Sequence, residues 1–146
     1  MRSPARGFTL IELLIVVAII GMLAAIGIPN LLNAVDKSKQ RRTMSDLRSI
    51  GTAIESYAVD NTTYPNANAV ATIKAVIDPI FIDTIPLVDG WANAIQVDST
   101  TTAYTVYSQG KDAAGTTCSA GLTSMFNDQI CFVNGRFQRY PDGTQQ

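Results

Sequence analysis

The sequence predicts an α+β chain, one long N-terminal helix followed by a small antiparallel sheet, and three observations carry that prediction. From Phe8 to Leu32 the only charge is Glu12, and every residue from Leu13 to Ile28 is apolar or Gly. Beyond Pro29 apolar positions keep recurring three and four residues apart, the period of one helix face. The last third holds short strand-like runs, two of them joined by Asn134-Gly135, a strong two-residue hairpin signal.

The first element is a span. At about 1.5 Å per residue, Phe8 to Leu32 makes a helix of roughly 37 Å, enough to cross a hydrocarbon core of about 30 Å. Leu31, Leu32, Val35, Met44, Leu47, Ile50, Ile54 and Tyr57 extend the pattern, with charged residues between them, so one helix is expected from Phe8 to Val59. Its first half is apolar all round and its second half carries one apolar stripe. Gly21, Gly27 and Pro29 are the weak points, where a helix break or kink is expected because Pro removes a backbone donor. Asp60 to Pro65 stops the helix with small polar residues and a Pro. A short helix is expected at Val70–Val76, and strands at Ala94–Val97, Tyr104–Ser108, Gln129–Val133 and Arg136–Tyr140.

Glu12 is the anomaly of the span. A carboxylate inside an apolar helix costs about 2.5 to 3.5 kcal/mol even on lenient insertion scales, so it needs a partner. The span itself contains no basic residue, and Arg2 and Arg6 lie on the far side of Gly7. A cut after Gly7 would turn the α-amino group of Phe8 into a cation at the right depth, and a neighbouring copy of the chain would supply it. Two other readings of the segment exist. A secretory signal cut near Ala25 or Gly27 would leave an unexplained charge early in its apolar region. A plain single-span anchor leaves both Glu12 and the Gly7-Phe8 junction without a role.

The basic leader ending in Gly7, followed by Phe8-Thr9-Leu10-Ile11-Glu12 and the apolar run through Gly21 to Pro29, resembles the prepilin signal of type IV pilins and type II secretion pseudopilins. That resemblance implies the pilin fold, a long helix packed on a small sheet. It implies a leader at 1–7, a transmembrane and filament-core helix at 8–32, and a periplasmic domain at 33–146 made of the amphipathic helix half, a connecting loop and the sheet. It further implies cleavage by a prepilin peptidase after Gly7, N-methylation of Phe8, and Glu12 as the carboxylate that sets filament registration. Ile85-Pro86, Asp89-Gly90-Trp91-Ala92-Asn93-Ala94 and Tyr104 to Asp112 look like the major pseudopilin's P-x-D-P-W-G-N-P-Y and Y-x-x-x-S-x-G-x-D stretches. Gly90, Ala92, Ala94 and Ile95 replace that pattern's Pro, Gly, Pro and Tyr. By the same resemblance the Trp is buried and calcium is a possible ligand of the following loop, where Asp112, Asn127 and Asp128 offer hard oxygens. No cofactor is required. A loop bracketed by two cysteines is more typical of true pilins.

Net charge is −1, which leaves no basic footprint for nucleic acid. Arg2 and Arg6 ahead of the span keep the N-terminus cytoplasmic by the positive-inside rule, whereas Lys37, Lys39, Arg41 and Arg42 argue the reverse. The leader and its processing motif decide for a single pass through a bacterial inner membrane with the domain in the periplasm. Cys118 and Cys131 are the only cysteines, and on that oxidising side a disulfide is expected, stabilising by about 3 kcal/mol. Two free thiols would suit a cytoplasmic domain instead.

The chain has no His, no nucleophile elbow and no phosphate loop, so it reads as a non-enzyme. Asp89, Asp98 and Asp142 read as turn and cap residues. The function expected is a structural subunit that self-associates into a helical filament, most economically a type II secretion major pseudopilin in a periplasmic pseudopilus. The second reading is a type IV pilus subunit for motility or adhesion, and a more remote one is a membrane-anchored periplasmic binding module. The partners implied are the membrane, the prepilin peptidase, an inner-membrane assembly platform and minor pilins or pseudopilins.

Overall fold

The computed structural model describes residues 7–115, 118–142 and 145; Met1 to Arg6 of the 1–7 leader, with Arg2 and Arg6, lie outside the described residues. The chain divides into two units at Val35/Asp36, and each is described by itself. Helix α1, Leu10–Asn61, contributes to both.

In the first unit α1 presents exposed large apolar side chains on every side, from Leu10 at 76% to Val35 at 43%. Such a surface demands an apolar environment that the single chain does not provide. Helix runs through Gly21, Gly27 and Pro29, the positions where a break or kink is expected. Pro29 removes one backbone donor from the ladder, and its fixed φ is compatible with helix at its own position. The Asn30 side chain adds a local bond, its Nδ2 donating to the carbonyl of Ile26 at 3.1 Å.

In the second unit the buried face of α1 is Asp36, Gln40, Thr43, Leu47, Ile50, Gly51, Ala53 and Ile54. The spacing is the helical one expected, but the first three members are polar. Val35, expected in the stripe, is exposed. The helix ends at Asn61, where Thr62 takes a left-handed φ of 61°, a common way to close a C-terminus. Helix α2, Val70–Ile77, buries Val70, Ile73 and Ile77.

Five strands follow: β1 Gln96–Ser99, β2 Tyr104–Ser108, β3 Gly121–Thr123, β4 Ile130–Val133 and β5 Arg136–Pro141. Their spatial order is β1-β2-β4-β5-β3. The β1·β2, β2·β4 and β4·β5 pairs are antiparallel, but β3 runs parallel to β5, so the sheet is mixed rather than purely antiparallel. β3 closes the far edge through the covalent loop described below, a connection no hairpin signal announces. Asn134 and Gly135 have φ of 44° and 81°, as the two-residue β4–β5 hairpin demands. Leu47, Ile50 and Ile54 of α1 pack with Ile73, Ile77, Val97, Tyr104, Val106, Ile130 and Phe132 to form the core. Gly51 lets the helix sit close, because a Cβ there would collide with the Phe132 ring. Tyr104 links the layers: its hydroxyl is 2.9 Å from Glu55 Oε1 and accepts from the Gly135 amide at 2.9 Å. Burial, reinforced by the Glu55 carboxylate, pushes the Tyr104 hydroxyl far above its ordinary pKa.

Candidate functional site

Three places carry the residues singled out from the sequence. The first is the start of α1. Gly7 and Phe8 are exposed, and α1 begins two residues later. Thr9 and Glu12 form a capping box: the Thr9 amide donates to Glu12 Oε2 at 2.9 Å, the Thr9 hydroxyl donates to the same oxygen at 2.7 Å, and the Glu12 amide donates to Thr9 Oγ1 at 3.3 Å. The requirement that Glu12 find a partner is therefore partly met inside the chain, by neutral donors. Ser or Thr three residues before Glu is the sequence signature that would have revealed it. No cation among the described residues lies within ion-pair distance of the carboxylate.

The second place joins α1 to the sheet. Asp89 is 2% exposed and organises the turn that follows it. Its Oδ1 accepts from the amides of Trp91 and Asn93, both at 2.9 Å, and its Oδ2 accepts from the Ser108 hydroxyl at 2.6 Å. Asn93 donates to the Gly110 carbonyl at 2.8 Å, and the Gly110 amide donates to Ser108 Oγ at 3.2 Å. The two stretches Asp89–Asn93 and Ser108–Asp112 thus form one hydrogen-bonded unit, and Asp89 is its centre rather than one turn residue among several.

That unit is pinned to the polar end of the buried α1 face. Trp91 Nε1 donates to Asp36 Oδ1 at 3.0 Å, and Lys111 Nζ lies 2.7 Å from Asp36 Oδ2. Trp91 is half-buried, not buried, because its indole spans from the turn to this carboxylate and leaves one side open. Burial pushes the Asp36 pKa up, but the bonds from Lys111 and Trp91 and the charges of Lys111 and Lys39 outweigh it, so the carboxyl lies below its ordinary range. Gly90 donates to Thr43 Oγ1 at 2.9 Å, and a Cβ on it would strike the Lys39 backbone. Gln40 donates to Gln145 at 2.8 Å, and Gln145 in turn donates to Thr123. Asp36, Gln40 and Thr43 escaped sequence reasoning because hydrophobic periodicity counts only apolar members of a face.

The third place is the C-terminal loop. Cys118 and Cys131 form a disulfide with Cα atoms 5.9 Å apart, tying the loop that contains β3 to the buried strand β4. Asp128 accepts from the amides of Ser124 and Met125 at 2.9 and 3.0 Å and pairs with Arg139 at 3.3 Å. Burial raises its pKa, but those amides and the Arg139 charge outweigh burial and leave it lowered. Asp112 accepts from the Ala114 amide at 3.1 Å. Among the described residues no three His, Cys, Asp or Glu converge on a metal-sized site. Both Asp128 oxygens and Asp112 Oδ1 are engaged in these local bonds.

A model of the prokaryotic N-terminal methylation motif matches residues 2–28, and a model of type II secretion system protein G matches residues 30–124. The chain is 30% identical over 109 residues to the type II secretion system core protein G of Pectobacterium carotovorum, covering 73% of this chain and 69% of that one. It is 39% identical over 64 residues to the core protein G of Klebsiella michiganensis, an alignment spanning 45% of that relative's length. A type IV major fimbrial protein, FimA, of Dichelobacter nodosus is 53% identical over 60 residues, 41% of this chain and 38% of that one. No solved structure matches the chain. With the protein G model covering well over half of the sequence and the Pectobacterium relative aligned along most of both chains, this protein belongs to the type II secretion system protein G family.

Proposed function

We propose that this chain is a structural subunit of a helical type IV-like filament, the major pseudopilin of a type II secretion system, and not an enzyme. The observation that supports this most is the segment from Phe8 to Leu32, apolar and exposed on every side of α1. Lipid covers that surface before assembly, and the helices of other copies cover it afterwards. In this reading a prepilin peptidase removes the leader 1–7 by cutting after Gly7, and Phe8 becomes the N-methylated terminus. The new amine of one copy faces Glu12 of the next, adding the cationic partner that the Thr9 capping box lacks. Such a contact is head-to-tail and propagates without closing. Residues 8–32 cross the inner membrane with the N-terminus cytoplasmic, residues 33–146 lie in the periplasm, and an assembly platform and minor pseudopilins complete the machine.

A type IV pilus subunit is the second reading, supported by the 53% identity to the Dichelobacter fimbrial protein and by the disulfide loop. Deleting the gene separates the two. The pseudopilin reading expects export of folded enzymes to stop while surface fibres and motility persist; loss of fibres or twitching with intact secretion would reverse it.

A further inference from the structure

Charge is unevenly distributed along the second unit. Residues 37–48 hold five Lys or Arg against a single acid, Asp46, whereas residues 49–146 hold four against nine Asp or Glu. Most of the basic cluster is engaged locally: Arg42 lies 3.6 Å from Asp46, Arg48 stacks over the Phe137 ring at 5.2 Å, and Lys39 sits in the field of Asp36. Asp36 itself is taken by Lys111 and Trp91. Lys37 and Arg41 have no ion pair among the described residues. They stand one turn apart on the same side of α1, where they line a cleft of about 270 Å³ with Gln40, Met44, Pro141 and Gln145. The cleft therefore combines the apolar Met44 and Pro141 with two cations that have no ion-pair partner among the described residues.

We propose that this basic collar, Lys37 and Arg41 with Lys39 and Arg42 beside them, docks on anionic phospholipid headgroups of the membrane that the chain's own span crosses. The proposal rests on the reading that α1 crosses a membrane up to about Leu32. Lys37 is the fifth residue after Leu32, which puts the collar at headgroup level, while the acids are concentrated in the rest of the unit. Attraction to an anionic surface is worth about 1 kcal/mol per Lys or Arg, a factor of about five in the docked-to-undocked ratio for each. It also gives a role to four cations that the positive-inside rule disfavours on the outer side of a span. Docking holds an unassembled subunit down on the bilayer, and entry into a filament has to release it.

Trp91 is the only tryptophan, and its bond to Asp36 places it one residue from the collar, so it is a built-in reporter. The full chain is reconstituted in vesicles of phosphatidylcholine, or of an equal mixture with phosphatidylglycerol, each containing lipid spin-labelled at the headgroup. We expect stronger quenching of Trp91 fluorescence in the anionic vesicles, reversed by high salt. The double variant Lys37→Gln/Arg41→Gln should lower the docked-to-undocked ratio about 25-fold, and Lys37→Arg/Arg41→Lys should restore it. Equal quenching in both lipids, or a double variant that quenches like the parent while melting normally, would overturn the collar. So would salt-sensitive cross-linking between copies in neutral vesicles, which would assign these cations to a second copy. Retention of the chain in the vesicles after an alkaline wash is scored separately: release would sink the membrane reading itself, whereas retention with lipid-independent quenching sinks only the collar.

Discussion

Gly90 and Ala92 sit two residues apart in one turn and are expected to respond oppositely to substitution. Gly90 needs both its missing side chain, since a Cβ would meet the Lys39 backbone, and its amide, which donates to Thr43. A Pro there, as in the related pattern, would lose that bond. Ala92 occupies a φ of 69°, a left-handed conformation that glycine adopts without cost. Gly90→Ala should therefore destabilise the protein by about 1–3 kcal/mol, and Ala92→Gly should stabilise it by about 0.5–1 kcal/mol, read as melting shifts of opposite sign. Asp36 makes a second test at this scale. Its pKa is lowered in the fold, so its contribution is complete above the unfolded value of about 3.9 and is lost as pH falls through the lower folded value. Asp128 acts in the same direction. Asp46, raised mainly by burial, acts in the opposite one, its contribution lost as pH rises through the folded value. Melting temperature should drop as pH is lowered from about 5 to about 3, and Asp36→Asn should flatten that drop. A variant with the parent's acid sensitivity would show that Asp36 is not its source.

Among the elements, those with a local pattern of their own were legible, α2, β4 and β5 within one residue of their expected bounds, and β3, which has none, was not. The 52 residues of α1 carry enough pattern to place both ends within two residues of Phe8 and Val59, and β2 matches its expected range. β1 begins two residues later than expected, because Ala94 and Ile95 belong to the Asp89-centred turn, with the Ile95 amide donating back to Leu87. β3 is three residues long and gains its place from its parallel partner β5 and from the disulfide loop, neither of which has a local signature. The polar end of the α1 face was hidden for a different reason: Asp36, Gln40 and Thr43 are buried by partners 47 to 105 residues away, and only the fold brings those together. The disulfide is what holds the β3 loop to β4, so reduction should lower the stability of the protein by about 3 kcal/mol and its melting temperature by about 10 °C. Calcium should leave the melt unchanged, since Asp128 is already paired with Arg139. A calcium-dependent shift abolished by Asp128→Asn would show that the loop rearranges to bind metal.

At the scale of the whole molecule, the two parts of α1 carry different surfaces. From Asp36 onward the helix supplies one side of a closed core, and before it every face is apolar and open. Glu12 stands near the start of that open segment with hydrogen bonds from Thr9 but no cation among the described residues, and Gly7-Phe8 lies exposed just ahead of it. The proposal that leader removal creates the missing cation ties these features together and is the claim on which filament assembly depends. The most direct measurement is the intact mass of the subunit from isolated filaments. The account predicts a chain beginning at Phe8 and carrying one added methyl group. A chain that retains Met1 to Gly7, or that begins after Ala25 or Gly27, would contradict it.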